Sequence, residues 1–260
     1  KSLLVIKAHI DKRGGILASG DSSIFNYGRD YYCYVWPRDG AYAIWPLIRM
    51  GYYKEAIKFF EFCRDTMHKD GYLLHKYQPD RAIGSTWHPL VHNSRSELAI
   101  QEDETAIILI MLGEYYDYSK DAEFTESLYA TLIQPAAMFI SKFIEEDTNL
   151  PHASYDLWEE KFLTTTYTTA TVIRALRRAS SFADQFGYPD DAVQWMQVAD
   201  SIESSLPLLY DPDRQAYRKG LLRLPDGNLQ FDNTLDMSTL YGLTMFTKVK
   251  LNDPTVVHTV

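Results

Sequence analysis

With 260 residues, 46% of them hydrophobic and 23% charged, the chain is long enough to bury a substantial core and has the composition of a globular protein. Its net charge of −9 argues against a nucleic-acid partner, because phosphate binding needs clustered Lys and Arg, and no apolar run approaches the roughly 20 residues of a membrane span. The two cysteines, Cys33 and Cys63, form no CxxC pair, and Lys1–Ile6 is too short to be a secretory signal. A disulfide framework is therefore not expected and a cytoplasmic location is favoured.

In chain order, helical periodicity predicts helices over 39–50 and 53–66, joined at Gly51, and then over 102–118, 121–146, 165–187, 190–208 and 236–249. Asp121 is suited to cap the helix after Lys120, and Gly187 with Pro189 closes one helix before Asp190 and Asp191 open the next. Pro46 and Pro135 fall inside two of these segments and should kink them or move their ends. Two stretches read as strands: 71–77, and 216–231 around the turn Pro225-Asp226-Gly227-Asn228. Met111, Met138 and Met196 read as core packing, and Arg174, Arg177 and Arg178 as a solvated helix face. No linker or low-complexity segment divides the chain, so one domain is expected over 1–260.

Two strings carry the chemistry. Tyr31-Tyr32-Cys33-Tyr34-Val35-Trp36-Pro37-Arg38-Asp39 sets aromatic planes beside an Arg/Asp pair, and Tyr155-Asp156-Leu157-Trp158-Glu159-Glu160 puts two carboxylates directly after an indole. Aromatic faces cover the C–H surfaces of a polyhydroxylated ring while charged groups hold its hydroxyls, so the pair points to a sugar site. Competing structural readings exist for each. Glu159 and Glu160 also suit the first turn of a helix, Asp39 suits an N-cap beside a salt bridge, Trp87 and His88 suit a loop anchor, and Asp103 and Glu104 suit first-turn acids. The acidic and aromatic strings precede every second helix, at steps of 64 residues (39 to 103) and 56 residues (103 to 159). Stacked antiparallel helix pairs would bring them to one end of a ring, as in an α/α toroid.

At these residues the chain resembles glycoside hydrolase family 15, the glucoamylase family, in its prokaryotic branch. Tyr32–Asp39 is similar to the motif that holds the terminal glucose, and Asp156–Glu160 to the catalytic-acid motif. Gly84-Ser85-Thr86-Trp87-His88-Pro89, Gln101-Glu102-Asp103-Glu104-Thr105 and the opening Lys1–Asp21 extend the likeness over most of residues 1–200. The resemblance implies an all-α (α/α)6 toroid with minor β-hairpins, and inverting exo-hydrolysis of terminal α-linked glucose from oligosaccharides or starch. It implies Glu159 as general acid, and Tyr32, Trp36, Arg38, Asp39, Trp87, Gln101, Asp103, Trp158 and Glu160 as substrate contacts. Trehalase or glucodextranase activity, or a non-catalytic toroid used for binding, are the alternatives.

The family also uses a second carboxylate far downstream of the acid, and its barrel has twelve helices. The helix near 236–249 would be about the eighth, so a partial barrel is expected, with the base beyond Val260 or, failing that, at Asp232 or Asp236. An open barrel edge would favour self-association. Trp158 and the carboxylates of Glu160 and Asp156 would raise the pKa of Glu159, while an adjacent helix N-terminus would lower it, and the sequence does not decide between them. No cofactor or metal is implied. His88 and His92 stand four apart, but Pro89 argues against a shared helix and no third ligand accompanies them.

Overall fold

A computed structural model describes residues 1–20, 32–256 and 259, and the backbone alone at Val257. Tyr31, with which the first aromatic string opens, Asp21 at the end of the opening segment, and the terminal Val260 lie outside the described residues.

The chain opens with α1 (Ser2–Ala8), which buries none of its residues. Helix α2 (Pro37–Arg49) starts on Pro37, whose fixed φ suits a first helical turn and whose missing N–H is not needed there. It runs on through Pro46, so that proline does not end the helix. Gly51, at φ +79°, reverses the chain into α3 (Tyr53–Thr66). A two-residue hairpin follows, β1 (Val91–His92) with β2 (Arg95–Ser96), and then α4 (Glu102–Ser119).

The helix expected over 121–146 divides into α5 (Ala122–Ser127), a π-helical turn (Tyr129–Ile133) and α6 (Gln134–Lys142). Pro135 explains the break, since it fits only within the first turn of α6. Asp121 caps α5 as expected, its Oδ1 accepting from the Phe124 N–H at 3.1 Å. After β3 (Ser154–Tyr155) and β4 (Phe162–Thr165) come α7 (Thr166–Gln185) and α8 (Pro189–Ser205), separated by Gly187 at φ +86°. A short hairpin, β5 (Tyr210–Asp211) with β6 (Ala216–Tyr217), precedes β7 (Gly220–Arg223) and β8 (Leu229–Asp232). Helices α9 (Met237–Phe246) and α10 (Pro254–Val257) close the described chain.

Helix α2 packs on α4, α4 on α7 and α7 on α9, while α3, α6 and α8 lie outside them, against α2, α4 and α7 respectively. Every residue of α4 from Glu102 to Gly113 is buried, as an inner helix flanked on all sides requires. The N-terminal ends of the inner helices meet at one end. Arg38 of α2 reaches Asp103 of α4 at 3.2 Å, the Tyr42 and Tyr167 hydroxyls of α2 and α7 are 3.0 Å apart, and the N-cap of α9 is Asp236. This is an arc of an all-α toroid, with the polar strings gathered where the inner helices begin.

A small antiparallel sheet, in the order β3-β4-β7-β8, seals that end. The turn signal at Pro225–Asn228 joins β7 to β8. The stretch 71–77 is not a strand. Only Tyr77 pairs, exchanging backbone hydrogen bonds with Val35 at 2.8 and 2.9 Å. Gly71 N–H donates to the His68 carbonyl, Leu73 N–H to Thr105 Oγ1 and Leu74 N–H to Tyr77 Oη, so these donors of a mostly buried segment are satisfied without a neighbouring strand.

Two further expectations are corrected. Arg177 and Arg178 do not form a solvated face. Arg177 pairs with Glu203 of α8 at 2.6 Å and Arg178 with Asp117 of α4 at 2.5 Å, so both bridge helices. Gly113 makes room for this, since a Cβ there would lie 2.1 Å from Arg178 Nε. Met196 does not pack into the core but is 38% exposed on α8, unlike buried Met111.

Candidate active site

The acidic string does not begin a helix. It forms the connection between β3 and β4, and Asp156 organises it. The Asp156 Oδ1 atom accepts from the N–H groups of Glu160 (2.8 Å) and Lys161 (3.1 Å), and its carbonyl accepts from the Glu159 N–H at 2.9 Å. A short acidic side chain bonding the backbone ahead of it is the chemistry of a tight turn. The turn carries Glu159 in the left-handed region, at φ +59°. That is an uncommon conformation for a residue other than glycine, and it persists because the surrounding bonds fix it.

Two distant segments anchor the turn. Gln101, at the N-cap of α4, donates from Nε2 to the Asp156 carbonyl at 2.5 Å. Lys219, between β6 and β7, puts its Nζ 2.7 Å from Asp156 Oδ2 and 3.3 Å from Asp236 Oδ2. Lys219 and Asp156 are both buried. Replacing Lys219 with Met should leave the Asp156 carboxylate buried without its nearest cation, at a cost of about 3 kcal/mol or more. Denaturant unfolding of Lys219→Met against wild type measures this, and an unchanged midpoint would remove Lys219 as the anchor.

Arg38 lies beneath the same floor. Its Nη1 donates to Gln101 Oε1 at 3.1 Å and to Asp103 Oδ2 at 3.2 Å, with Glu104 3.8 Å away and Asp39 3.7 Å from Nη2. Gln101 and Asp103 are fully buried, and they hold the guanidinium from the protein side. Asp39 has a half-exposed side chain. Burial drives the carboxyls of Glu102 and Glu104 well above the usual carboxylate range, and for Asp103 it outweighs the pull of Arg38.

Aromatic rings surround the end of the inner helices. Trp36 is buried and half-exposed Tyr32 stacks on it with ring centres 5.6 Å apart. Lys76 lies over Tyr34, Trp36 and Trp87 at 4.4, 5.0 and 3.9 Å from their ring centres, a cation–π arrangement that fixes the indoles. Trp87 and Trp158 are about half exposed, and the Trp158 N–H donates to Asp236 Oδ2 at 2.9 Å. Glu160 points outward, 3.9 Å from Lys219.

His75 and His88 complete the site, and nothing in the sequence singled out His75. Its Nε2 lies 3.1 Å from Glu159 Oε2 and 3.1 Å from Trp36 Nε1, while Nδ1 faces Thr86 Oγ1 at 3.2 Å. The indole N–H can donate only to an unprotonated Nε2. An unprotonated Nε2 has one lone pair, so Trp36 and a protonated Glu159 would compete for it. The other protonation state, imidazolium with carboxylate, gives up the Trp36 bond. His88 stacks face to face on Tyr155 at 3.7 Å and lies 4.1 Å from the His75 ring. Burial first, then the neighbouring charge of His75, push its pKa down to about 3.

Glu159 differs from the sequence expectation in its surroundings. Burial pushes its pKa up, but the hydrogen bond from His75 and the charges of His75, His88 and Arg38 outweigh that and set it below the ordinary value. Trp158 is turned to Asp236, and Asp156 is neutralised by Lys219, so neither supplies the expected upward push.

Neither acid considered as a base within the chain is uncommitted. Asp232 pairs with Lys161 at 2.7 Å, and despite burial its hydrogen bonds bring its pKa down to about 2. Asp236 caps α9 through the Ser238 N–H at 2.8 Å. His88 and His92 do not face a common ion. His92 is on β1, stacks on Phe162 and meets the Tyr155 hydroxyl at 3.0 Å.

The family profile for glycosyl hydrolases family 15 matches residues 2–253. An uncharacterized glycosyl hydrolase of Methanocaldococcus jannaschii is 26% identical over all 260 residues, which cover 37% of that protein. Trehalase 2 of Sulfolobus acidocaldarius is 27% identical over 224 residues, or 78% of this chain and 38% of the enzyme. The chain therefore spans a little over a third of these relatives' length. Among solved structures, a bacterial glucoamylase complexed with acarbose superposes with a TM-score of 0.74 at 19% identity, over 98% of this chain and 38% of the other. A glucoamylase from Saccharomycopsis fibuligera gives 0.71 at 17% identity, over 95% and 55%. These likenesses bear on the fold, which is that of the glucoamylase toroid.

Proposed function

The chain belongs to family 15 of the glycosyl hydrolases, and from that membership we propose that it supplies the proton donor and the sugar-holding floor for inverting hydrolysis of a terminal α-linked glucose. The observation that carries this reading is the placement of Glu159. It sits on a turn fixed from two sides, in contact with His75, and close enough to Arg38 to feel its charge. Inverting hydrolysis uses one protonated carboxyl to donate to the leaving oxygen and an ionised one to activate water, the two about 6.5–9.5 Å apart. In this reading Glu159 is the donor. To donate, Glu159 must gain a proton that His75, His88 and Arg38 disfavour in the free site, and a sugar covering the carboxyl would favour that proton by excluding water.

Arg38 and Asp39 would hold the hydroxyls of the terminal glucose, with Tyr32 and Trp36 packing on its ring. Trp87, Trp158 and Glu160 would line the adjoining sugar position. Gln101 and Asp103 would keep Arg38 in place. The substrate on this reading is a maltooligosaccharide or starch end. Trehalose is the second reading, favoured by the trehalase relatives of Sulfolobus acidocaldarius and Mycobacterium tuberculosis, 27% and 25% identical.

The full-length protein should release glucose from at least one of maltose, isomaltose and trehalose assayed in parallel, with the non-reducing glucose of maltose or isomaltose appearing as the β-anomer by NMR and trehalose giving β- and α-glucose in equal amounts. Release of the non-reducing glucose as the α-anomer, or of α-glucose alone from trehalose, would exclude the inverting mechanism, and no glucose from any of the three would remove the exo-glucosidase reading.

A further inference from the structure

We propose that His75, His88 and Glu159 form a binding site for a divalent transition-metal ion of the zinc type, open to solvent on the sugar side. Among the described residues this is the group whose ligand atoms come together, all within 4.8 Å of one another. It draws on two imidazoles and one carboxylate, a donor set that zinc uses in three-ligand sites with an open fourth position. In the sequence only His88 and His92 stand at a metal-site spacing, and that pair, lacking a third ligand, implied no metal.

The second observation is His88 itself. The residue is 4% exposed, and both ring nitrogens are buried without any hydrogen-bond partner. Buried polar atoms are nearly always paired, so an orphaned imidazole beside two other ligand groups calls for a partner. The ring lies between the faces of Tyr155 and His75, which orient its plane without a hydrogen bond. Glu159 retains 17% side-chain exposure and provides the path for an ion.

Tetrahedral zinc, with bonds of about 2.0–2.2 Å, places its ligand atoms roughly 3.3–3.5 Å apart. The contact between His75 Nε2 and Glu159 Oε2, at 3.1 Å, is already near that separation, so His88 is the group that closes in. On binding, His75 Nε2 gives its lone pair to the metal instead of accepting from Trp36. Mg2+ does not suit the site, because it prefers six oxygen ligands in octahedral geometry.

The consequence rests on the proposed role of Glu159. A carboxylate ligated to a metal cannot hold the proton for the leaving oxygen, so metal and hydrolysis exclude one another and the ion acts as an inhibitor.

The test is titration of the full-length protein with ZnCl2 in a non-chelating buffer by calorimetry, and with CoCl2 followed by visible absorption. The expected result is one equivalent of zinc, tetrahedral d–d bands for cobalt, and no binding of MgCl2. His88→Phe keeps the ring on Tyr155 and removes the nitrogens. It should weaken zinc by more than the roughly 10–100-fold that loss of an outer partner costs, and Glu159→Gln should do the same. Unchanged zinc affinity in both variants, or an absence of zinc heat and cobalt bands up to millimolar metal, would overturn the site. Because binding is read without sugar, a protein that binds zinc and hydrolyses nothing loses the glycosidase reading and keeps this one. One that hydrolyses and binds no zinc does the reverse.

Discussion

Replacing Glu159 with Gln in the full-length protein should lower glucose release by about 10²–10⁴-fold, the range that a positioned general acid supplies. The amide cannot donate a proton at the strength the leaving oxygen requires, yet it has nearly the same shape. The turn around it should survive, because its hydrogen bonds run through the Asp156 side chain and the backbone of Glu159. Sugar binding should therefore persist, with kcat falling far more than KM rises. Substrates with an activated leaving group, which need little protonation, should lose much less. Turnover within a few-fold of wild type would move the acid to another residue, and a loss confined to KM would make Glu159 a binding group.

Arg38→Ala should destabilise the fold by about 3–5 kcal/mol, the range for breaking a buried ion pair by removing one partner. Asp103 and Glu104 are fully buried and face the guanidinium at 3.2 and 3.8 Å. Without it, Asp103 must take up a proton or remain as an uncompensated charge. Arg38→Lys keeps the charge and loses the planar guanidinium whose Nη1 donates to both Gln101 and Asp103, and it should fall between the two. Urea unfolding at neutral pH measures all three proteins. A midpoint for Arg38→Ala equal to wild type would mean that Asp103 is neutral in the native state and that Arg38 does not hold the end of α4.

The helical frame was legible because its punctuation is local. Asp121, Gly187 and Pro135 each act within one turn of their own position, and the structure places helix boundaries at all three. The gathering of alternate helix starts was legible from spacing alone, since antiparallel pairs of similar length must bring every second start to one end. The acidic turn was not. Its flanking strand β3 is two residues long, too short for an alternating pattern, and adjacent glutamates look like a helix start. The stretch 71–77 misled for the opposite reason: its apolar run is buried against helices rather than by strands, with Tyr72 on Phe139 of α6, Tyr77 on Phe62 of α3 and Leu73 bonded to Thr105 of α4. Tyr32, Trp36, Arg38 and Asp39 could be chosen from chemistry and resemblance. His75 could not, since its value lies wholly in where Glu159 ends up. The same holds for Lys219, which in sequence is an unremarkable cation beside a glycine.

Lys219 and Gln101 clamp a turn that lies between them in the chain, one from each side. Alignment of the Glu159 side chain is thus a late event during synthesis. A nascent chain that has just passed Glu160 already carries the carboxyl, but its perch is unfastened until β7 has emerged and joined β4. Nicks or insertions between α7 and β7 should accordingly disturb the Glu159 turn without touching Arg38, Trp36 or Tyr32, and the long α7–α8 excursion separates the synthesis of the turn from its fastening.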